Sequence, residues 1–132
     1  MYKVRKTMEI SAMHHLNLDY QSPCINNHGH NWIISIEVSG HRLNQHGMLL
    51  DFKRIKELIH QEMDHNDLNQ IFDFNPTAEN IATWVRDRVN QYLDNNKNDY
   101  KVQIEERDVF VPYCSKVIVQ ESQYNIAEWS VR

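Results

Sequence analysis

The chain has 132 residues, 41% of them hydrophobic and 24% charged, with a net charge of -4 when the histidines are neutral. That length fits a single domain over 1–132 with a real core. The composition excludes disordered and membrane classes, and the acidic balance argues against a general nucleic-acid binder.

Residues 2–14 favour an extended strand in which Met8, Ile10, Ala12 and His14 share one face. LNLDYQSPCINNHGH, 16–30, is a turn-rich connection, and a second strand follows over roughly 31–40, ending at Gly40. In it Trp32, Ile34, Ile36 and Val38 fall on one face and Ser35, Glu37 and Ser39 on the other. The same period carried backward puts His28 and His30 on the Trp32 face. After a loop, Asp51 is an N-cap for a helix in which Phe52, Ile55, Leu58, Ile59 and Met63 recur at helical spacing, stopping near DHNDLN, 64–69. IFDFNP is another loop. Thr77 then caps a longer helix with Ile81, Trp84, Val85, Val89 and Leu93 on one face. SKVIVQES is a third strand and NIAEWSVR a last one. The class is α+β, with both helices on one face of an antiparallel sheet and the other face covered by its own side chains or by a partner subunit.

Two cysteines, Cys24 and Cys114, are too few for a disulfide scaffold. MYKVRKTMEI lacks the apolar stretch of a signal peptide, and no segment is long enough to span a bilayer, so a reduced, cytoplasmic protein with no membrane partner is expected.

The histidines carry the chemistry. Adjacent antiparallel strands bring His14, at the end of the first, towards His28 and His30, at the start of the second. Three imidazoles leave one tetrahedral position open, the pattern of catalytic zinc. His15, His41, His46 and His60 lack that geometry and read as solvated, although His15 lies beside the site and can meet an anion. Cys24 sits among Pro, Asn and His rather than in an apolar element. A nearby metal favours its thiolate, as nucleophile, general base or fourth ligand. Cys114, at the start of an apolar strand, reads as structural. Asp64 and His65 can form an acid–base pair at the helix end, and Glu121, ending VIVQE, can accept two N–H bonds from a guanidine-like ring edge.

In order, SAMHHL, CINNHGHNW, GMLLDF, MDHNDLN, NPTAEN and VIVQES resemble the segments of the 6-pyruvoyltetrahydropterin synthase family, over roughly residues 2–129. The three-residue gap between Cys24 and His28 is similar to that of the bacterial 6-carboxytetrahydropterin synthase branch. The resemblance implies His14, His28 and His30 as zinc ligands, Cys24 as general base and Asp64 with His65 as proton relay. It implies Glu121 as the pterin anchor, with Thr77 near the same pocket. It also implies the tunnelling fold, a two-strand, two-helix, two-strand unit whose subunits join into an oligomeric barrel. That barrel is commonly a homo-oligomeric dimer of trimers with active sites between subunits. The implied substrate is a pterin triphosphate, 7,8-dihydroneopterin triphosphate, and the implied product 6-carboxytetrahydropterin in queuosine biosynthesis. The alternatives are the pyruvoyl-forming synthase, a non-catalytic pterin- or zinc-binding subunit, and a structural zinc module, which needs a fourth protein ligand. Two departures stand out. His15 occupies a position that is usually Arg in the family, which weakens any grip on the triphosphate or makes it pH-dependent. Residues 97–114 look longer than the family's usual connection, and an extra loop or hairpin is expected there.

Overall fold

The computed structural model describes residues 1–100 and 111–132. Strand β1, Tyr2–His14, pairs antiparallel with β2, His28–Gly40. Helices α1 (Phe52–Met63), α2 (Leu68–Ile71) and α3 (Ala78–Asn95) follow, then β3 (Tyr113–Gln120) and β4 (Ile126–Ser130). The four strands form one sheet in the order β1-β2-β3-β4, every neighbour antiparallel.

Alternation decides which face is buried. Met8, Ile10, Ala12, Trp32, Ile34, Ile36, Val38, Val117 and Val119 all turn inward. They meet Ile55, Ile59 and Met63 of α1 and Ile81, Val85, Val89 and Leu93 of α3 in one core. α1 lies on β1, and α3 on β3 and β4. Both long helices therefore cover the same face, as expected of this pattern. The opposite face carries polar groups: Thr7 and Ser35 share a 2.7 Å hydrogen bond, and Glu37 accepts from Ser115 at 2.8 Å and from Arg5 at 3.2 Å.

The caps are those read from the sequence. Asp51 accepts the Lys53 N–H, and Thr77 accepts the Asn80 N–H at 3.1 Å. Three details differ. β2 begins at His28 rather than near 31, because His28 and Gly29 continue the ladder opposite His14 and Met13. A single helical turn, α2, stands where a loop was expected, its start capped by Asp67. Phe52 is exposed at the first position of α1, and Trp84 is only half-buried, tilted against Phe72 beneath Arg88. Cys114 is buried with its thiol pushed up to about 12 by desolvation, which makes it inert, as its strand position implied. Lys97–Tyr100 forms a 3-10 turn that buries Tyr100, whose hydroxyl donates to the Leu49 carbonyl. The rest of the expected 97–114 insertion lies largely outside the described residues.

Candidate metal and active site

The β1–β2 register places the histidines. His14 is the direct partner of His28, and Ala12, two residues before His14, is the partner of His30. Side chains of one parity on paired strands project to the same face, so all three imidazoles converge at one end of the sheet. Their ring centroids lie 4.6 Å (His14–His28), 5.1 Å (His14–His30) and 4.8 Å (His28–His30) apart. Trp32 floors the group, edge-on to His14 at 4.8 Å and to His30 at 5.2 Å. Its own Nε1–H donates to the Ala12 carbonyl at 3.2 Å, which fixes the indole plane.

Second partners orient the rings. His14 Nδ1 lies 2.8 Å from the Pro76 carbonyl and His28 Nδ1 2.7 Å from the Asn26 carbonyl. A carbonyl only accepts, so each Nδ1 carries its proton and each Nε2 of the neutral ring presents a lone pair. His14 is fully buried. Desolvation holds the pKa of both His14 and His30 below the ordinary histidine value, which keeps the rings neutral near pH 7. The Nε2 atoms of His14 and His30 are buried without a hydrogen-bond partner. Buried polar atoms are rarely left so, and two such nitrogens in one space, His14's presenting a lone pair, fit a cation. Glu121, just past β3, completes the group: the ligand atoms of His14, His28, His30 and Glu121 lie within 4.8 Å of one another.

Asp64 and His65 end α1. His65 has φ 58, a left-handed turn that sends the chain back along β1, and its N–H donates to the Ser11 carbonyl at 2.7 Å. Asp64 accepts the Ser11 N–H at 2.9 Å, and this bond is the first cause of its lowered pKa. Its other oxygen lies 3.3 Å from His65 Nε2 and 3.7 Å from His60 Nε2. The pair that the sequence suggested is thus formed within one chain. His60 departs from its solvated reading: it reaches Asp64 and also sits 3.1 Å from the Glu9 carbonyl. The i,i+4 spacing of His60 and Asp64 on a helix was the available signal.

His15 also departs from a solvated reading. Asn69 accepts its backbone N–H at 2.8 Å and donates to its carbonyl at 3.0 Å. On the ring, Nδ1 is 2.8 Å from Asn27 Oδ1 and Nε2 is 3.3 Å from Asn69 Nδ2. With an amide acceptor at Nδ1 and an amide donor at Nε2, the ring turns no free N–H towards an anion. Thr77 follows the Pro76 carbonyl that holds His14, but its hydroxyl serves the α3 cap. Cys24 is half-buried in a 3-10 turn, Pro23–Ile25, where Ser22 accepts its N–H at 3.2 Å. It lies outside the four-residue ligand group. A cavity of about 400 Å³ is lined by Ser11, Met13, His30, Asn31 and His65, among others, and Cys24 does not line it.

Two strands, two long helices with a single-turn helix between them, and two further strands, with a histidine cluster at one end of the sheet, define a tunnelling-fold protein with a group of side chains that could hold a metal ion. The Caenorhabditis elegans 6-pyruvoyl tetrahydropterin synthase structure shares this fold with a TM-score of 0.68 at 21% identity, covering 99% of this chain and 96% of that one. The 6-pyruvoyl tetrahydropterin synthase family model matches residues 3–130, and the chain belongs to that family. The 6-carboxy-5,6,7,8-tetrahydropterin synthase of Bacillus subtilis is 34% identical over 121 residues, 86% of this chain and 83% of the relative. A dihydroneopterin monophosphate aldolase of Pyrococcus furiosus is 38% identical over 69 residues, 50% of this chain and 58% of that protein.

Proposed function

We propose that the protein is a zinc-dependent lyase converting 7,8-dihydroneopterin triphosphate and one water to 6-carboxytetrahydropterin, acetaldehyde and triphosphate, a step towards queuosine. The observation that carries this reading is the buried histidine cluster with two unpartnered Nε2 atoms, in a chain 34% identical to a 6-carboxytetrahydropterin synthase.

His14, His28 and His30 would hold the zinc, which supplies Lewis-acid polarisation of the substrate's side-chain oxygens. Pro76 and Asn26 carbonyls fix two of these rings in the ligating tautomer. Trp32 beneath the cluster excludes water from one side. Cys24, as thiolate, takes a proton from the substrate side chain. His65, oriented by Asp64, returns one. Because Cys24 does not line the cavity that His65 opens onto, we assign the meeting of Cys24 with the Asp64–His65 pair to the interface between subunits of a homo-oligomer, a dimer of trimers. Glu121 would anchor the pterin ring edge, with Thr77 near the same pocket. His15 lacks a free donor in its Asn27–Asn69 clamp, so it reaches a triphosphate only when that clamp opens. No helix among the described residues is long and apolar enough to cross a membrane.

The test is incubation of zinc-loaded protein with 7,8-dihydroneopterin triphosphate, with products identified by mass. A 6-carboxy pterin with acetaldehyde is expected. A pyruvoyl product would keep the site and change the reaction, and unchanged substrate with zinc bound would overturn the lyase reading.

A further inference from the structure

Glu121 stands apart from the rest of the site. Its Oε1 lies 3.0 Å from His14 Nε2 and 3.2 Å from His30 Nε2, yet neither nitrogen has a hydrogen-bond partner. His14 spends its only proton on the Pro76 carbonyl, so its Nε2 and the carboxylate confront each other as acceptor against acceptor. Such a contact is unfavourable unless a cation lies between them. The distances from Glu121 to His14 and His30 also fit a shared ion. Zinc bonds of about 2.0–2.2 Å to nitrogen and oxygen, at tetrahedral angles, separate neighbouring ligand atoms by about 3.4 Å. The carboxylate has no other hydrogen-bond or ion-pair partner among the described residues. Its backbone opens the Glu121–Asn125 turn, where the Glu121 N–H donates to the Asn125 carbonyl at 3.0 Å, and the side chain keeps 21% exposure.

We propose that Glu121 is the fourth ligand of the metal in the substrate-free protein, closing with His14, His28 and His30 a coordination sphere that three histidines alone would leave open. This deepens the zinc reading and rests on it, but not on the identity of the pterin reaction. It also divides the work of Glu121 in time. A carboxylate bound to the metal is not free to accept from a pterin ring edge, so it must leave the metal before it takes up substrate. A turn at the end of β3, with one face open to solvent, permits that movement more readily than a position inside the ladder.

The experiment measures Zn2+ affinity by chelator competition and the visible absorption of the Co2+-substituted protein, for native, Glu121→Gln, Glu121→Ala and His28→Ala chains. Second-sphere partners of metal sites are worth about 10–100-fold in affinity, and a direct ligand should cost no less. We expect both Glu121 variants to bind Zn2+ at least about tenfold more weakly than native. We also expect their Co2+ spectra to depart from the native one as the carboxylate leaves the coordination sphere. Glu121→Gln keeps the shape of the side chain, so a loss confined to Glu121→Ala would point to packing and overturn the assignment. Native affinity and an unchanged Co2+ spectrum in Glu121→Gln, with His28→Ala impaired, would overturn it as well. If native protein binds no Zn2+, the zinc reading falls with it. If the Glu121 variants lose metal but no pterin is turned over, the ligand assignment stands and the lyase reading alone falls.

Discussion

Cys24 is half-buried in a short turn between the ligand-bearing strands and takes no part in the ligand group. Its removal should therefore separate metal binding from chemistry. Cys24→Ala is expected to keep native zinc content by elemental analysis and to lose turnover by a factor of about 10² or more, the usual worth of a positioned general base. Full activity in that variant would remove Cys24 from the mechanism. His28→Ala should instead lose metal and activity together, and full zinc occupancy would reject it as a ligand. At this scale the sequence was legible where side chains alternate on strands: the His14, His28 and His30 convergence follows from parity and the antiparallel pairing of adjacent strands. It was not legible where the partner is backbone. The Pro76 and Asn26 carbonyls that set two ring tautomers belong to residues whose side chains give no sign of it. Glu121 was visible as a carboxylate at a strand end, but its approach to the histidines depends on β3 returning beside β2 after three intervening helices.

Elements with strong periods, β1, β2, α1 and α3, could be read from sequence nearly to their ends. α2 could not, because one turn is too short to display a helical period. Two element boundaries carry predictions. Gly40 ends β2 where a Cβ would stand 2.9 Å from Leu49 Cδ2 and 3.2 Å from the Pro112 Cα. Gly40→Ala should destabilise the fold by about 1–3 kcal/mol in urea unfolding, the range for overpacking against a backbone that cannot yield. Stability equal to native would mean that Leu49 and Pro112 move aside. The second boundary is the end of α1, which Asp64 ties to β1 through the Ser11 N–H. The folded pKa of Asp64 is lowered, so its stabilisation is present above the ordinary aspartate value and is lost as pH falls through the folded one. Asp64→Ala should cost about 1–2 kcal/mol at pH 7, as for a hydrogen bond to a charged group. The gap between variant and native should shrink as pH drops below about 4. A gap independent of pH would assign the loss to packing rather than to the carboxylate.

The whole molecule presents the problem of a sheet with two edges. Among the described residues the outer edge of β1 is covered in its second half, where Met13 bridges to Asp67, Asp64 and His65 bond Ser11, and His60 reaches the Glu9 carbonyl. β4 has no strand beyond it among the described residues, and Ile126 on it is 60% exposed. Open edges of this kind invite pairing with another chain, and joining them between copies is how a barrel abolishes edges altogether. The polar face of the sheet, with Glu37 held by Ser115 and Arg5, would then line the interior. The ladder shows how to test this without damaging the subunit. The Val131 N–H donates inward to the Ser115 carbonyl at 3.0 Å. In an antiparallel strand every second N–H points the same way, so Trp129 and Ala127 also donate to β3 while Glu128 donates outward. Glu128→Pro removes that outward donor together with a carboxylate that lies 3.9 Å from Lys116 Nζ at the surface, a substitution that edge strands tolerate. If copies join through β4, light scattering should show native protein as the larger assembly and Glu128→Pro as a smaller one, with the subunit's circular dichroism unchanged. An assembly of native size in the variant would mean that the sheet does not close through this edge. The interface would then have to bring Cys24 to the Asp64–His65 pair by another surface.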